Sequence, residues 1–265
     1  MGDIFHHSVD NTSFEFPQGL HIELPEFLGL QLTKFMVLQL IAAGLMLWVF
    51  IWMARQARNQ HLPRGRFYNL LETLLVFVRE EVVYSTMGRR DGDRFLPFLW
   101  TLFMYVLFCN LLGMVPFGGS PTGHLSVTGP LALCTFGLGL GCGMQKLGVA
   151  GFWKAQVPHM DVPVVLKIVL VPLIFVLEVL GLFIKHGVLA FRLFVNIFAG
   201  HTVLFVILSF IPLAAGAGAM YYLVTPLTLC AVVGLSFLEL FIAFLQAYVV
   251  TFLSTLFISM ALHPH

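Results

Sequence analysis

A permanent charge sits inside an apolar run: Arg192, within Leu189-Ala-Phe-Arg-Leu-Phe-Val-Asn-Ile-Phe-Ala-Gly-His201. In a bilayer a guanidinium costs about 2.5–3.5 kcal/mol on insertion scales. Arginine cannot shed its proton to escape that cost. Glu178 and Lys185 precede Arg192 at intervals of seven, and a straight helix drifts only about 20° over seven residues. The three charges therefore share one helix face, and Asn196 extends the stripe by a turn. A helix surrounded by lipid would not carry it, so this face meets protein or a wet cavity. Mutual neutralisation in a bundle core is the weaker account, because neighbours seven apart are separated by about 10.5 Å along the axis.

Composition sets the environment. Hydrophobic residues make up 59% of the chain and charged ones 10%, where a soluble domain carries about 25% charged residues. The chain reads as an all-α polytopic membrane protein. Its net charge of +1 gives no footing for nucleic acid. Cys109, Cys134, Cys142 and Cys230 lie in apolar runs without metal-ligand spacing, so they read as packing cysteines and no metal is expected. HExxH, Walker and GxSxG patterns are lacking, which leaves an intramembrane enzyme without support. Nothing points to a cofactor.

Residues 1–33 hold five acidic residues (Asp3, Asp10, Glu15, Glu23 and Glu26) and no lysine or arginine. They read as an extracytoplasmic segment, with solvated histidines and no signal-peptide pattern. Residues 34–265 read as the membrane domain. A first span is expected at 35–54, about the length a bilayer requires. Arg55, Arg58, Arg64 and Arg66 follow it, which makes that end cytoplasmic. Residues 67–86 place apolar side chains at helical spacing among Glu72, Arg79 and Glu80, as an amphipathic helix at the interface does.

Spans follow at 95–116 and 126–145. The second is rich in glycine at Gly137, Gly139, Gly141 and Gly143, a pattern that permits close helix approach. The runs 164–211 and 220–262 are overlong. The first is either two spans turning near Lys185-His-Gly187 or one strongly tilted helix. Glu239 and Gln246, again seven apart, lie in the second run. The polar stripes of the two runs face one another or a shared partner. The N-terminus is expected outside and the C-terminus inside.

These residues resemble subunit a of the F-type ATP synthase membrane sector. Arg192-Leu-Phe-x-Asn196-x-Phe-Ala-Gly200 is similar to that family's signature around its essential arginine. Phe108-Cys-Asn-Leu-Leu-Gly-Met-Val-Pro116 is similar to its N-L-x-G-x-x-P segment. Glu239 and Gln246 match the family's last polar helix positions. Val195 stands where many members have glycine. His201 and Glu239 look exchanged relative to some bacterial members, as in mitochondrial-type ones.

The resemblance implies about five membrane helices plus one interfacial helix, the last two long and tilted as a hairpin along a rotating ring of c subunits. It implies two half-channels for protons, peripheral-stalk b subunits as further partners, surrounding membrane lipid, and a bacterial plasma (inner) membrane. Such a subunit is non-catalytic. The implied path residues are Arg192, His201, Glu239, Gln246, Asn196, Glu178 and Lys185. His201 and Glu239 are expected on the outer path and Gln246 near the arginine, with Glu178 and Lys185 lining the inner path or pairing structurally. A stand-alone secondary ion transporter is the competing reading, and the lack of a convincing internal repeat counts against it. A purely structural scaffold is disfavoured by the intramembrane ionisable groups.

Overall fold

A computed structural model describes residues 34–59, 65–114, 125–155, 164–214, 216 and 218–262, and four short strands ahead of them. The strands, β1 (Ser13–Glu15), β2 (His21–Glu23), β3 (Glu26–Phe27) and β4 (Leu30–Gln31), form two antiparallel hairpins. The described residues after them are almost all helical, and five helices among them are long and apolar enough to cross a membrane. The protein is an all-α polytopic membrane protein.

Helix α1 (Lys34–Asn59) outlasts its expected end at residue 54, because Arg55 and Arg58 are good helix formers and carry the last turns. Leu38, Ala42, Met46, Val49 and Met53 recur every three or four residues and form its buried stripe. Leu40, Leu47, Trp48 and Ile51 are exposed on the other side. A helix apolar all round is suited to lipid.

The expected amphipathic helix is present as α2 (Arg66–Phe77), continued by a π-helical segment, Val78–Tyr84. It folds back along α3 (Ser85–Gly113), since Trp100 Nε1 donates to Leu75 O at 2.9 Å across twenty-five residues. Gly88 makes the fold possible. Its φ of 73° interrupts the helical path, a conformation costly for any residue with a Cβ. Tyr68, Leu71, Val78, Val82 and Val83 form the buried face of this hairpin.

Helix α4 (Leu125–Leu147) and a short α5 (Val149–Ala155) follow. The expectation of close glycine packing is met at Gly143 alone. A Cβ there would lie 2.5 Å from the Phe152 ring, whereas Gly137, Gly139 and Gly141 have nothing within 4 Å.

Helix α6 (Val164–Leu208) is continuous through Lys185, His186 and Gly187, which decides between the two alternatives: one helix, not two spans. A turn at Ser209, the five-residue α7 (Phe210–Ala214) and α8 (Ala219–Leu262) follow. Forty-five and forty-four residues correspond to about 67 Å of helix each, over twice a ~30 Å hydrocarbon core.

The core lies between α3, the π-helical segment and α8, around Leu99, Phe103, Val106, Val250 and Ile258. Its α3–α8 seam is stitched by polar groups. Asn110 Nδ2 donates to Ala243 O at 3.2 Å and Ser259 Oγ to Thr86 O at 3.3 Å. Buried Thr251, Ser254 and Thr255 satisfy their hydroxyls on their own helix. Small hydroxyl residues let membrane helices approach closely.

Candidate ion path

Two polar residues of the first long run, Asn196 and His201, meet the two of the second in antiparallel register. Asn196 Nδ2 donates to Gln246 Oε1 at 2.9 Å. Five residues further along α6, and seven back along α8, His201 Nε2 stands 3.9 Å from Glu239 Oε1. That is ion-pair range when the imidazole is protonated, and too long for a direct hydrogen bond.

Gly200 supplies the seat. A Cβ at this position would lie 2.9 Å from Glu239 Oε1, so the carboxylate rests against bare α6 backbone. Glu239 and Gln246 are buried, and His201 is half-buried. Glu239 Oε1, His201 Nε2 and Gln246 Nε2 have no hydrogen-bond partner among the described residues. Buried polar atoms left open in this way mark places where other polar species fit. The arrangement holds a titratable pair and an amide pair one above the other on the same seam.

Arg192 is elsewhere. It is exposed, and no hydrogen bond or ion pair reaches it among the described residues. The side chains around it, Val188, Phe191 and Val195, are exposed and apolar. Lys185, a heptad earlier, is exposed on the same face, and Glu178 is half-buried. None of the three charges pairs with another among the described residues. His201, nine residues on from Arg192, points to the opposite side, as a 3.6-residue turn requires.

Two features of the site were not anticipated. One is the seating role of Gly200, for which the only cue was a glycine beside a histidine in a long apolar helix. The other is His186, which is buried on the inward face and not part of the charged stripe.

A profile of the ATP synthase A chain family matches residues 36–259. ATP synthase subunit a of Myxococcus xanthus (strain DK1622) is 42% identical over 229 residues, covering 85% of this chain and 72% of that one. The subunit a of Anaeromyxobacter dehalogenans (strain 2CP-1 / ATCC BAA-258) is 42% identical over 207 residues, 77% of this chain and 51% of its own length. That of Chloroherpeton thalassium is 34% identical over 267 residues, 98% of this chain and 76% of the relative. With five apolar helices, a paired polar seam and a match running through both, the chain belongs to the ATP synthase subunit a family.

Proposed function

We propose that this chain is the stator of a rotary synthase, carrying protons past a ring of small subunits through two offset half-channels. The observation that carries the reading is Arg192: a fixed positive charge, exposed and without a partner among the described residues, on an apolar helix face. Lipid cannot satisfy it at mid-membrane depth. A partner presenting carboxylates can.

At about 4 Å and an effective dielectric near 20, the attraction between Arg192 and such a carboxylate is roughly 4 kcal/mol before desolvation. This holds the carboxylate ionised opposite the stator. Away from it, burial against lipid favours the protonated form. Arg192 neither gives up nor accepts a proton readily, so it also separates the half-channels.

His201, eight residues before the turn at Ser209, and Glu239 opposite it line the outer path, and the Asn196–Gln246 pair backs the arginine. Glu178 and Lys185 lie on the inner side. The N-terminus is outside and the C-terminus inside, in a bacterial plasma membrane, with peripheral-stalk subunits as further partners. The chain itself performs no bond chemistry.

Arg192→Ala in the assembled complex tests the reading. Ion-driven ATP synthesis should fall to background while assembly persists, and lysine should not restore it fully, being a shorter, more readily deprotonated charge. Normal synthesis by the alanine variant would remove the arginine from the mechanism.

A further inference from the structure

The stator reading leaves a buried histidine without a task. His186 is 8% exposed, and its Nε2 has no hydrogen-bond partner among the described residues. Its Nδ1 lies 2.9 Å from Leu182 O, one turn earlier on α6. A carbonyl oxygen only accepts, so Nδ1 carries the hydrogen and the neutral ring keeps its lone pair on Nε2. The tautomer is fixed by this contact. The open nitrogen is the basic one.

Two phenyl rings flank the imidazole. Phe136 of α4 lies at 4.8 Å between ring centroids, edge to face, and Phe257 of α8 at 4.5 Å. A cation within about 6 Å of an aromatic centroid is stabilised by the ring's quadrupole. Protonating Nε2 leaves the Nδ1–H bond to Leu182 in place. One pose therefore serves both charge states, which is what a group that repeatedly takes and gives a proton requires.

Its place along the helix is equally specific. His186 and His201 are fifteen residues apart on the inward side of α6, about 22 Å. Between them Leu189, Leu193 and Ile197 are almost fully buried, at 1%, 1% and 2% exposure. This stretch is apolar and buried, and the two histidines bracket it. His201 faces Glu239 at one end. His186 is the imidazole at the other.

We propose that His186 is the proton-relay group of the inner half-channel, the counterpart of His201 on the outer side. The step is the balanced exchange of imidazole and hydronium for imidazolium and water at Nε2, then its reverse toward the inner solution. The inference rests on the stator reading. The titratable and charged groups around the ring are few. On α6 they are Lys185, alongside, and Glu178, two turns earlier; α4 bears Cys134, Cys142 and, at its end, Lys146; α8 bears Tyr248, more than two turns from Phe257, and no charged group near it among the described residues.

The test uses the assembled membrane sector in sealed vesicles, with proton flux measured while inner and outer pH are varied separately. His186→Asn keeps a donor where Nδ1 stands and cannot titrate. Flux should drop about tenfold or more, and the inflection with inner pH that the unaltered sector shows should vanish, while the outer-pH profile stays unchanged. His186→Ala, with the same complex isolated intact, should regain flux on adding imidazole. An assembled Asn variant that keeps the inner-pH inflection, or an assembled Ala variant that imidazole does not rescue, overturns the proposal. Arg192→Ala run in parallel separates the two levels: if it retains coupling the stator reading fails, and if it alone is inactive only the role of His186 fails.

Discussion

Residues 66–113 and 170–214 have nearly the same mean hydropathy over their most apolar stretches, 1.9 and 2.1, yet 56% of the first stretch is buried and 11% of the second. Hydropathy reports that both belong in a bilayer. Burial reports where each finds its partners. In the first region Leu99, Phe103, Met104 and Val106 pack against the π-helical segment and α8, so the chain supplies its own contacts. In the second, Phe183, Ile184, Val188, Phe191 and Val195 are exposed around Lys185 and Arg192. Lipid can cover those apolar side chains but not the charges. The front of the molecule is a finished fold, and on the stator reading proposed above the long hairpin is half of an interface.

Beyond the loss of coupling expected at Arg192, the largest effect that would break this comparison is on stability. Phe103 is 1% exposed in the packed region and Phe237 is 69% exposed on α8. Phe103→Ala should destabilise the isolated chain by about 3–5 kcal/mol, the usual cost of emptying an aromatic core site. Phe237→Ala should cost less than about 0.5 kcal/mol, as surface changes do. Reversible unfolding in mixed micelles measures both. Equal losses would mean that the two regions are packed alike and that the hairpin is not an open surface.

The next effect sharpens the picture of the inward side of that hairpin. His201→Glu puts two acids together, Glu239→His removes the counter-charge, and the double exchange restores one imidazole facing one carboxylate. The exchanged pair should conduct protons better than either single variant, with a coupling of about 1–3 kcal/mol over the cycle. Simple additivity in proton flux would show that the two groups 3.9 Å apart act independently. Gly200→Ala belongs to the same test, since its Cβ would push at Glu239 Oε1 from 2.9 Å. It should lower flux with little loss of stability, because a flexible carboxylate end can move aside.

Periodicity made much of this legible before any coordinates. Glu178, Lys185 and Arg192 could be set on one face because a helical period survives in any apolar run, whereas Asn196, read onto the same stripe, turns to Gln246 on α8. The exposed state of Arg192, without a partner among the described residues, is the physical form of that stripe. Periodicity left the continuity of α6 open, since Lys185-His-Gly187 has the composition of a turn, and the family resemblance alone implied the single long helix that is found. Gly88 was hidden among charged residues, where one glycine at positive φ has no periodic signature. His186 escaped for a different reason: its burial depends on Phe136 and Phe257, fifty and seventy-one residues away. Close glycine packing was read at four positions and occurs at Gly143, because spacing shows where helices can approach but not which neighbour arrives.

The smallest effect tests whether the seam between the long helices is held by its amides or by shape. Asn196 Nδ2 donates to Gln246 Oε1 at 2.9 Å, and Gln246 is completely buried. A buried amide pair looks costly to break, since each partner would leave the other unsatisfied. In membranes that expectation is muted, because the dissociated helices find other polar partners; measured interhelical hydrogen bonds there average about 0.6 kcal/mol. Asn196→Leu and Gln246→Leu should therefore each destabilise modestly, with a coupling near 0.6 kcal/mol in a double-mutant cycle of unfolding. Their effect on proton flux should be larger than that figure, because Asn196 lies one turn from Arg192 and fixes the rotation of α6 that turns the guanidinium outward. A coupling above about 2 kcal/mol would make the seam a structural lock comparable to the packed front of the molecule. The contrast between a finished region and an adaptable one would then fail at the place where the two long helices meet.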